Sequence, residues 1–353
     1  MAEYNLARVT VMLVEDNAFI HQTLDDMLRH FRVEKISKFK NGEEAIVHLK
    51  ALKLAGDATP DIIISDLIMS PINGQLLLRW VRTAKESPNR FVPFIMISGA
   101  ADRDFVASVR DLGVSEFLAK PFSVQTVFSH LSSTIERPRP FVATKGYFGP
   151  DRRRLRGEGL EVAEERRRLG DSHITHVYSA DKMVRPKLES DVWYFHLPNK
   201  LKEKVGGGGA DDGPPTLPDD ILEKAEETLQ RAAMDFSTWA SDYLEELSSL
   251  CNEAEAVPER RRRLFGEICL LAHELRGQGG TFGYPLVSEF GKMLYEATLD
   301  TMKNTDNQVE IVAAHIDAMR VVLRDKIAGD GDDVGKEVQA TLQAAIQRYL
   351  VTE

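Results

Sequence analysis

The sequence predicts an α/β fold, a doubly wound five-stranded parallel sheet, followed by an all-α antiparallel helical bundle. Five short runs, Val9–Val14, Lys35–Phe39, Ile62–Ser65, Phe94–Ser98 and Glu116–Leu118, alternate with segments whose apolar residues fall three and four apart, such as Ile20, Leu24, Met27 and Leu28. Strands alternating with helices imply a parallel sheet with helices on both faces. Val11–Val14 and Ile62–Ile64 are apolar without interruption, the pattern of strands buried on both sides. From Leu217 onward the period changes to three and four and stays there.

In that last part, Leu222, Ala225, Leu229, Ala232, Phe236, Trp239, Tyr243, Leu247 and Leu250 mark one long amphipathic helix. Pro258 opens a second, with Leu264, Ile268, Leu271 and Leu275, and Pro285 a third, with Val287, Phe290, Leu294 and Leu299. A fourth covers Val309–Ile327 and a fifth Val334–Leu350. Long helices with short joins and one apolar stripe each are expected to pack as an antiparallel bundle.

The predicted organisation is an α/β domain over 1–136, a basic and largely irregular linker over 137–216, and a helical bundle over 217–353. The linker carries Arg152–Arg154, Arg166–Arg168 and Gly206–Gly209; its Val192–Phe195 patch is expected to form a strand or dock on a neighbour. Charge follows the same divisions. Residues 1–136 hold 15 basic and 17 acidic side chains, 137–218 hold 16 and 12, and 219–353 hold 14 and 26. The acidic final third is repelled by phosphate backbones, so no nucleic-acid partner is expected.

No apolar run reaches the ~20 residues needed to cross a bilayer, and the first residues lack a signal-peptide layout. A cytoplasmic location without membrane contact is expected. Cys251 and Cys269, the two cysteines, fall in predicted helices and are expected to be free thiols.

The first candidate site lies where the strands end. In doubly wound sheets, sites form at the carboxyl ends of the strands. Glu15 and Asp16 follow the first strand, Asp66 the third, Ser98 closes the fourth, and Lys120-Pro121 follows the fifth. Three carboxylates crowded together call for a cation or a proton. A hard divalent ion such as Mg²⁺ suits oxygen ligands. A hydroxyl, an ammonium and a metal beside a carboxylate make a phosphoryl-transfer pocket with Asp66 as nucleophile.

With Glu15-Asp16, the run Asp66–Met69, Gly74 eight residues after Asp66, Ser98, and Phe117–Pro121 in this order, the first 130 residues resemble the receiver domain of bacterial response regulators, a flavodoxin-like fold. The resemblance implies that Glu15, Asp16 and Asp66 bind Mg²⁺ together with the Ile68 carbonyl. It implies that Ser98 and Lys120 contact the phosphoryl group, that Ser98 and Phe117 are switch residues, and that the Lys120–Pro121 bond is cis. Two positions depart from the family pattern: Ser70 replaces the usual proline, with Pro71 one residue later, and Gly99 replaces a commoner alanine.

The second candidate is His273, in Leu271–Gly283. At ~100° per residue it falls nearly opposite Leu264, Ile268, Leu271 and Leu275, facing solvent, with Gly277 and Gly280 on the same side. Each glycine inside a helix costs roughly 1 kcal/mol relative to alanine, and a bare backbone beside an imidazole lets another protein approach. Arg276 adds an anion-attracting guanidinium. The segment resembles the histidine phosphotransfer domain, with Arg276 and Gly277 three and four residues after the histidine and Phe282-Gly283 nine and ten after. Gln278 departs from that pattern by its size. His173 and His176, three apart, have no further ligand at convincing metal spacing.

The reading is a two-component phosphorelay protein. A sensor histidine kinase or another phosphohistidine protein would phosphorylate Asp66, and His273 would exchange phosphoryl groups with a receiver domain. No ATP-binding glycine motif of the kinase kind is present, so the chain is expected to be a phosphoacceptor rather than an enzyme. In the alternative, the helical domain is a binding module controlled by phosphorylation and His273 is inert. A DNA-binding regulator would require a basic helix-turn-helix, and the acidic tail argues against one.

Overall fold

The computed structural model describes residues 5–99, 111–151, 174–180, 186–188, 190–206, 218–299, 304–329 and 331–351. The arginine runs 152–154 and 166–168, His173 and Gly207–Gly209 lie outside them. The chain divides into two compact units, Met1–Leu118 with Val124–Ala225, and Ala119–Ser123 with Glu226–Glu353.

Five strands form the main sheet: β1 (Thr10–Val14), β2 (Lys35–Phe39), β3 (Ile62–Asp66), β4 (Phe94–Ser98) and β5 (Glu116–Ala119), in the order β2-β1-β3-β4-β5. β1 pairs in parallel with β2 and β3, and β3 with β4. The five-stranded parallel sheet is the one predicted. Every residue of β3 and β4 is buried, as their uninterrupted apolar runs require. Helices α1 (Ala18–His30), α2 (Gly42–Ala55) and α3 (Gly74–Thr83) each begin at an asparagine, Asn17, Asn41 and Asn73. Each side-chain oxygen accepts from amide groups of the first helical turn, which have no partner within the helix. Helix α4 (Val124–Glu136) follows β5.

Among the described residues, the segment expected as a largely irregular linker holds four strands, one of them at the Val192–Phe195 patch. Strands β6 (Phe141–Ala143), β7 (Phe148–Pro150), β8 (Ile174–Val177) and β9 (Val192–Phe195) make a second sheet, ordered β7-β6-β9-β8. Its pairings are antiparallel except for β8 with β9. Three-residue strands carry too little periodicity to be read from sequence; pairing and a shared core make them. That core joins Phe141, Ala143, Val177 and Phe195 with Phe91, Phe148, Trp193 and Leu197. Phe91 lies just ahead of β4 and stands 5.2 Å from the rings of Phe141, Phe148 and Phe195.

This extension covers the amino-terminal edge of the main sheet. Arg82, 2 % exposed, donates to the carbonyls of Gly113, Arg90 and Val92 and lies over the Phe141 ring. Burial pushes its guanidinium down to about 9, which leaves it cationic at neutral pH. Arg139 donates to the Val114 and Ser115 carbonyls at the entry to β5. Helix α5 (Lys200–Val205) closes the other side: Lys204 pairs with Asp61, which also accepts from the Thr10 amide at the start of β1. Lys202 pairs with Glu136, and the Asn199 side chain donates to the Ile135 carbonyl.

The helical region matches its predicted elements closely: α6 (Asp219–Ala256), α7 (Arg261–Gln278), α8 (Pro285–Ala297), α9 (Asp306–Arg324) and α10 (Asp332–Val351). Consecutive helices from α7 to α10 pack on one another. Gly291 sets the α7–α8 approach: a Cβ there would stand 2.7 Å from the Arg276 amide nitrogen. Both cysteines are free. Among the described residues no helix is long and apolar enough to cross a membrane.

Replacing Arg82 with leucine leaves three carbonyls without that donor. At roughly 1–3 kcal/mol for a buried polar group left unsatisfied, we expect a loss of about 3 kcal/mol in urea unfolding, against little change for the exposed Arg79→Leu. Glu116 gives a pH-dependent counterpart. Burial pushes its carboxyl up, but hydrogen bonds from His130 and Ser133 and the charges of Arg139 and His130 hold it below the usual carboxylate range. A depressed carboxylate stabilises fully above its unfolded value, about 4.3, and loses that contribution as pH falls through the lower folded value. The stability gap between wild type and Glu116→Gln should therefore be present above about pH 5 and shrink below about pH 4, read by urea unfolding across that range.

Candidate functional site

Strand register builds the site. Val14 lies opposite Ser65 and Asp66 opposite Ile97. The residue that follows β1 is then Glu15, level with Asp66, and the last residue of β4 is Ser98. Glu15, Asp66 and Ser98 are buried and Asp16 is exposed. A ligand oxygen from each of Glu15, Asp16 and Asp66 lies within 4.8 Å of the others. The structure thus brings together the three predicted carboxylates at the carboxyl edge of the sheet.

Local bonds hold these groups. The Glu15 amide donates to the Phe39 carbonyl at 3.0 Å, and the Asn17 amide donates to Glu15 Oε1 at 3.3 Å. The Ile68 amide donates to Asp66 Oδ2 at 3.2 Å, and Ser65 Oγ donates to the Asp66 carbonyl. Gly74 has a steric reason: a Cβ there would collide with the Asp66 carbonyl oxygen and crowd the Met96 sulfur. Glycine lets the start of α3 close onto the strand that carries Asp66. His21, one turn into α1, hydrogen-bonds the Glu15 carbonyl through Nδ1 at 3.1 Å. Burial pushes its imidazole down, against the opposing pull of that bond. No spacing rule singled out His21, since the bond is to a main-chain atom.

Lys120, 6 % exposed, directly follows β5, and its bond to Pro121 is cis. The Ser70–Pro71 bond is also cis. Phe117 is half-buried against the core that contains Met12, Ala45 and Leu77.

His273 differs from its predicted exposure. It is 5 % exposed, its ring lies 5.7 Å from that of Tyr295 in α8, and the Arg276 guanidinium lies over the same Tyr295 ring. The buried stripe on α7 is also wider than predicted. Arg261, Phe265 and Ala272 are buried, whereas Leu271 is only half-buried. Those residues turn the centre of the stripe roughly 40° toward His273 at 100° per residue, which leaves the ring about 130° from that centre, and Tyr295 lies against it from α8. Gly277 is likewise buried, and Gly280 partly so, so neither presents the open backbone expected. His315 is an ordinary buried helix histidine whose Nδ1 contacts the Ile311 carbonyl. His176 contacts His196 across the second sheet.

Residues 11–132 match the family described as the response regulator receiver domain. The transcriptional regulatory protein PdtaR of Mycobacterium tuberculosis is 29 % identical over 137 residues, 38 % of this chain and 61 % of PdtaR. The chain therefore spans about three-fifths of that relative. The polar-differentiation response regulator DivK of Brucella anthropi is 29 % identical over 126 residues, 35 % of this chain and 95 % of DivK. The solved chemotaxis protein CheY4 of Vibrio cholerae is 24 % identical, over 35 % of this chain and 95 % of that one, with a TM-score of 0.31.

Like charges held this close repel by about 1 kcal/mol even at the dielectric constant of water. Asp66→Asn keeps the oxygen that accepts from Ile68 and removes one charge. Without divalent cations and at low ionic strength, we expect it to raise stability by about 1 kcal/mol, with the gain shrinking as salt is added. Thermal unfolding of both proteins across a salt series measures this. Residues 11–132 are a receiver domain of the kind found in two-component response regulators.

Proposed function

We propose that this chain is a phosphoacceptor of a two-component signalling system, in which Asp66 takes a phosphoryl group from a sensor histidine kinase or another phosphohistidine protein. The observation that carries this reading is the convergence of Glu15, Asp16 and Asp66 within 4.8 Å at the sheet edge. Two buried carboxylates and one exposed one form an all-oxygen donor set that fits Mg²⁺ better than a thiophilic or imidazole-preferring ion. The Ile68 carbonyl is the further ligand this reading assigns.

A bound Mg²⁺ would neutralise charge on the phosphoryl oxygens and on the crowded carboxylates. An Asp66 oxygen attacks phosphorus in line with the donor nitrogen. The P–N bond breaks, its electron pair returns to the imidazole, and an acyl phosphate forms. Ser98 and Lys120 would hold the phosphoryl oxygens. Repositioning of Ser98 and Phe117 around the new charge would then bias the domain between two states.

For the helical region we favour a binding module whose availability follows Asp66 phosphorylation. His273 is buried against Tyr295, and a phosphotransfer imidazole must present a nitrogen to a donor. The second reading, His273 as a relay station serving other receiver domains, draws on Arg276 and Gly277 beside it and requires the ring to become exposed.

Incubated with acetyl phosphate and Mg²⁺, the full chain should take up acid-stable, alkali-labile phosphate that is absent without Mg²⁺ and absent in Asp66→Asn. Label persisting in Asp66→Asn would refute Asp66 as the acceptor. Incubated with a phosphorylated receiver domain, Asp66→Asn and the double variant Asp66→Asn, His273→Gln should both stay unlabelled. Acid-labile label on the first and not the second would establish His273 as a phosphotransfer residue and reverse our choice.

A further inference from the structure

We propose that His21 is a positioning residue for the cation site, holding through its Nδ1–H the turn that carries Glu15 and Asp16. The inference rests on the reading of that site as a Mg²⁺ site. It concerns a residue that touches neither the metal nor the phosphoryl group.

The turn from β1 into α1 carries two of the three acids. Its amide side is anchored where the Glu15 N–H donates to the Phe39 carbonyl of β2. Its far end is anchored by Asn17, whose side chain accepts from the Phe19 and Ile20 amides and so sets the start of α1. His21 supplies a tie from the other direction: its ring nitrogen reaches back to the Glu15 carbonyl at 3.1 Å. A carbonyl oxygen only accepts, so the hydrogen must sit on Nδ1, and the neutral ring then has its lone pair on Nε2. Nε2 is buried. Lys38, Asp25 and Lys40 are the charged groups that act on the ring.

The tie bears on metal binding because the acids repel one another. Glu15 and Asp16 lie within 4.8 Å of Asp66, so a slack turn relaxes by swinging those side chains apart. A fixed Glu15 carbonyl denies the backbone that motion and keeps the oxygens at ligand spacing before the cation arrives. Groups that orient metal ligands without touching the metal commonly change affinity by about tenfold or more.

Asparagine and glutamine separate the two ring nitrogens. An asparagine amide places its N–H near the position of Nδ1, whereas a glutamine amide reaches toward that of Nε2. We expect the full-length His21→Asn to bind Mg²⁺ within about twofold of wild type and His21→Gln to bind about tenfold more weakly, in calorimetric titration with MgCl₂. Phosphate uptake from acetyl phosphate should show the same ordering in its Mg²⁺ dependence, with equal uptake at saturating Mg²⁺. A merely structural histidine would lower the melting temperature in both variants and leave the two Mg²⁺ affinities alike. Equal affinities in wild type, His21→Asn and His21→Gln, or a weakening in asparagine greater than in glutamine, would overturn the inference. Absence of Mg²⁺ binding in the wild type would instead overturn the reading of the site, and the inference with it.

Discussion

Everything at the carboxyl edge of the main sheet depends on holding three like charges together. Glu15, Asp16 and Asp66 would separate if their backbones allowed it, and the parallel sheet does not allow it. The pairing of β1 with β3 sets Glu15 level with Asp66, and parallel pairing with full burial leaves no freedom to slip by one residue, which would turn every side chain to the other face. Gly74, Ser65 and the Ile68 amide then fix the Asp66 backbone and carboxylate. The acids occupy a strained electrostatic arrangement on a rigid mechanical frame, so adding a cation or a phosphoryl group changes the local balance sharply.

The opposite edge of the same sheet is where the chain spends its extra residues. The second sheet and α5 fasten onto the entries of β1, β3, β4 and β5, through Arg82, Arg139, Lys204 and the phenylalanines around Phe91. The attachment combines bonds from Arg139 and Asn199 to main-chain carbonyls, the ion pairs of Lys202 and Lys204, and the aromatic cluster around Phe91. These strands are thereby held at their amino ends, and β1 and β3 lead into the three acids at their carboxyl ends. The unit that folds around Asp66 extends well past Glu136.

The helical region illustrates how burial redefines a residue. His273 sits beside Arg276 and Gly277, as a phosphotransfer histidine would, yet its imidazole packs against Tyr295. Gly291 lets α8 close onto the backbone of α7 at Arg276, and that closeness is what brings Tyr295 within reach of both side chains.

Much of this was legible in the residues alone. Short apolar runs alternating with helical periods located the five strands of the main sheet, and the uninterrupted runs at Val11–Val14 and Ile62–Ile64 marked strands buried on both faces. Period 3.6 located the five long helices to within a few residues, and the acids at the strand ends marked the candidate site. Tertiary structure alone decided the rest. Strands of three residues, such as Phe141–Ala143, exist because partners and a shared aromatic core complete them. The orientation of His273 depended on which helix closes over α7, and periodicity on one helix carries no information about its neighbour. The role argued for His21 depends on a bond to a main-chain carbonyl six residues away, which no side-chain pattern encodes. Sequence by itself determined the elements of the main sheet and the helical region and which acids gather at the sheet edge; only the packed chain determined the second sheet, what is covered and what is tied.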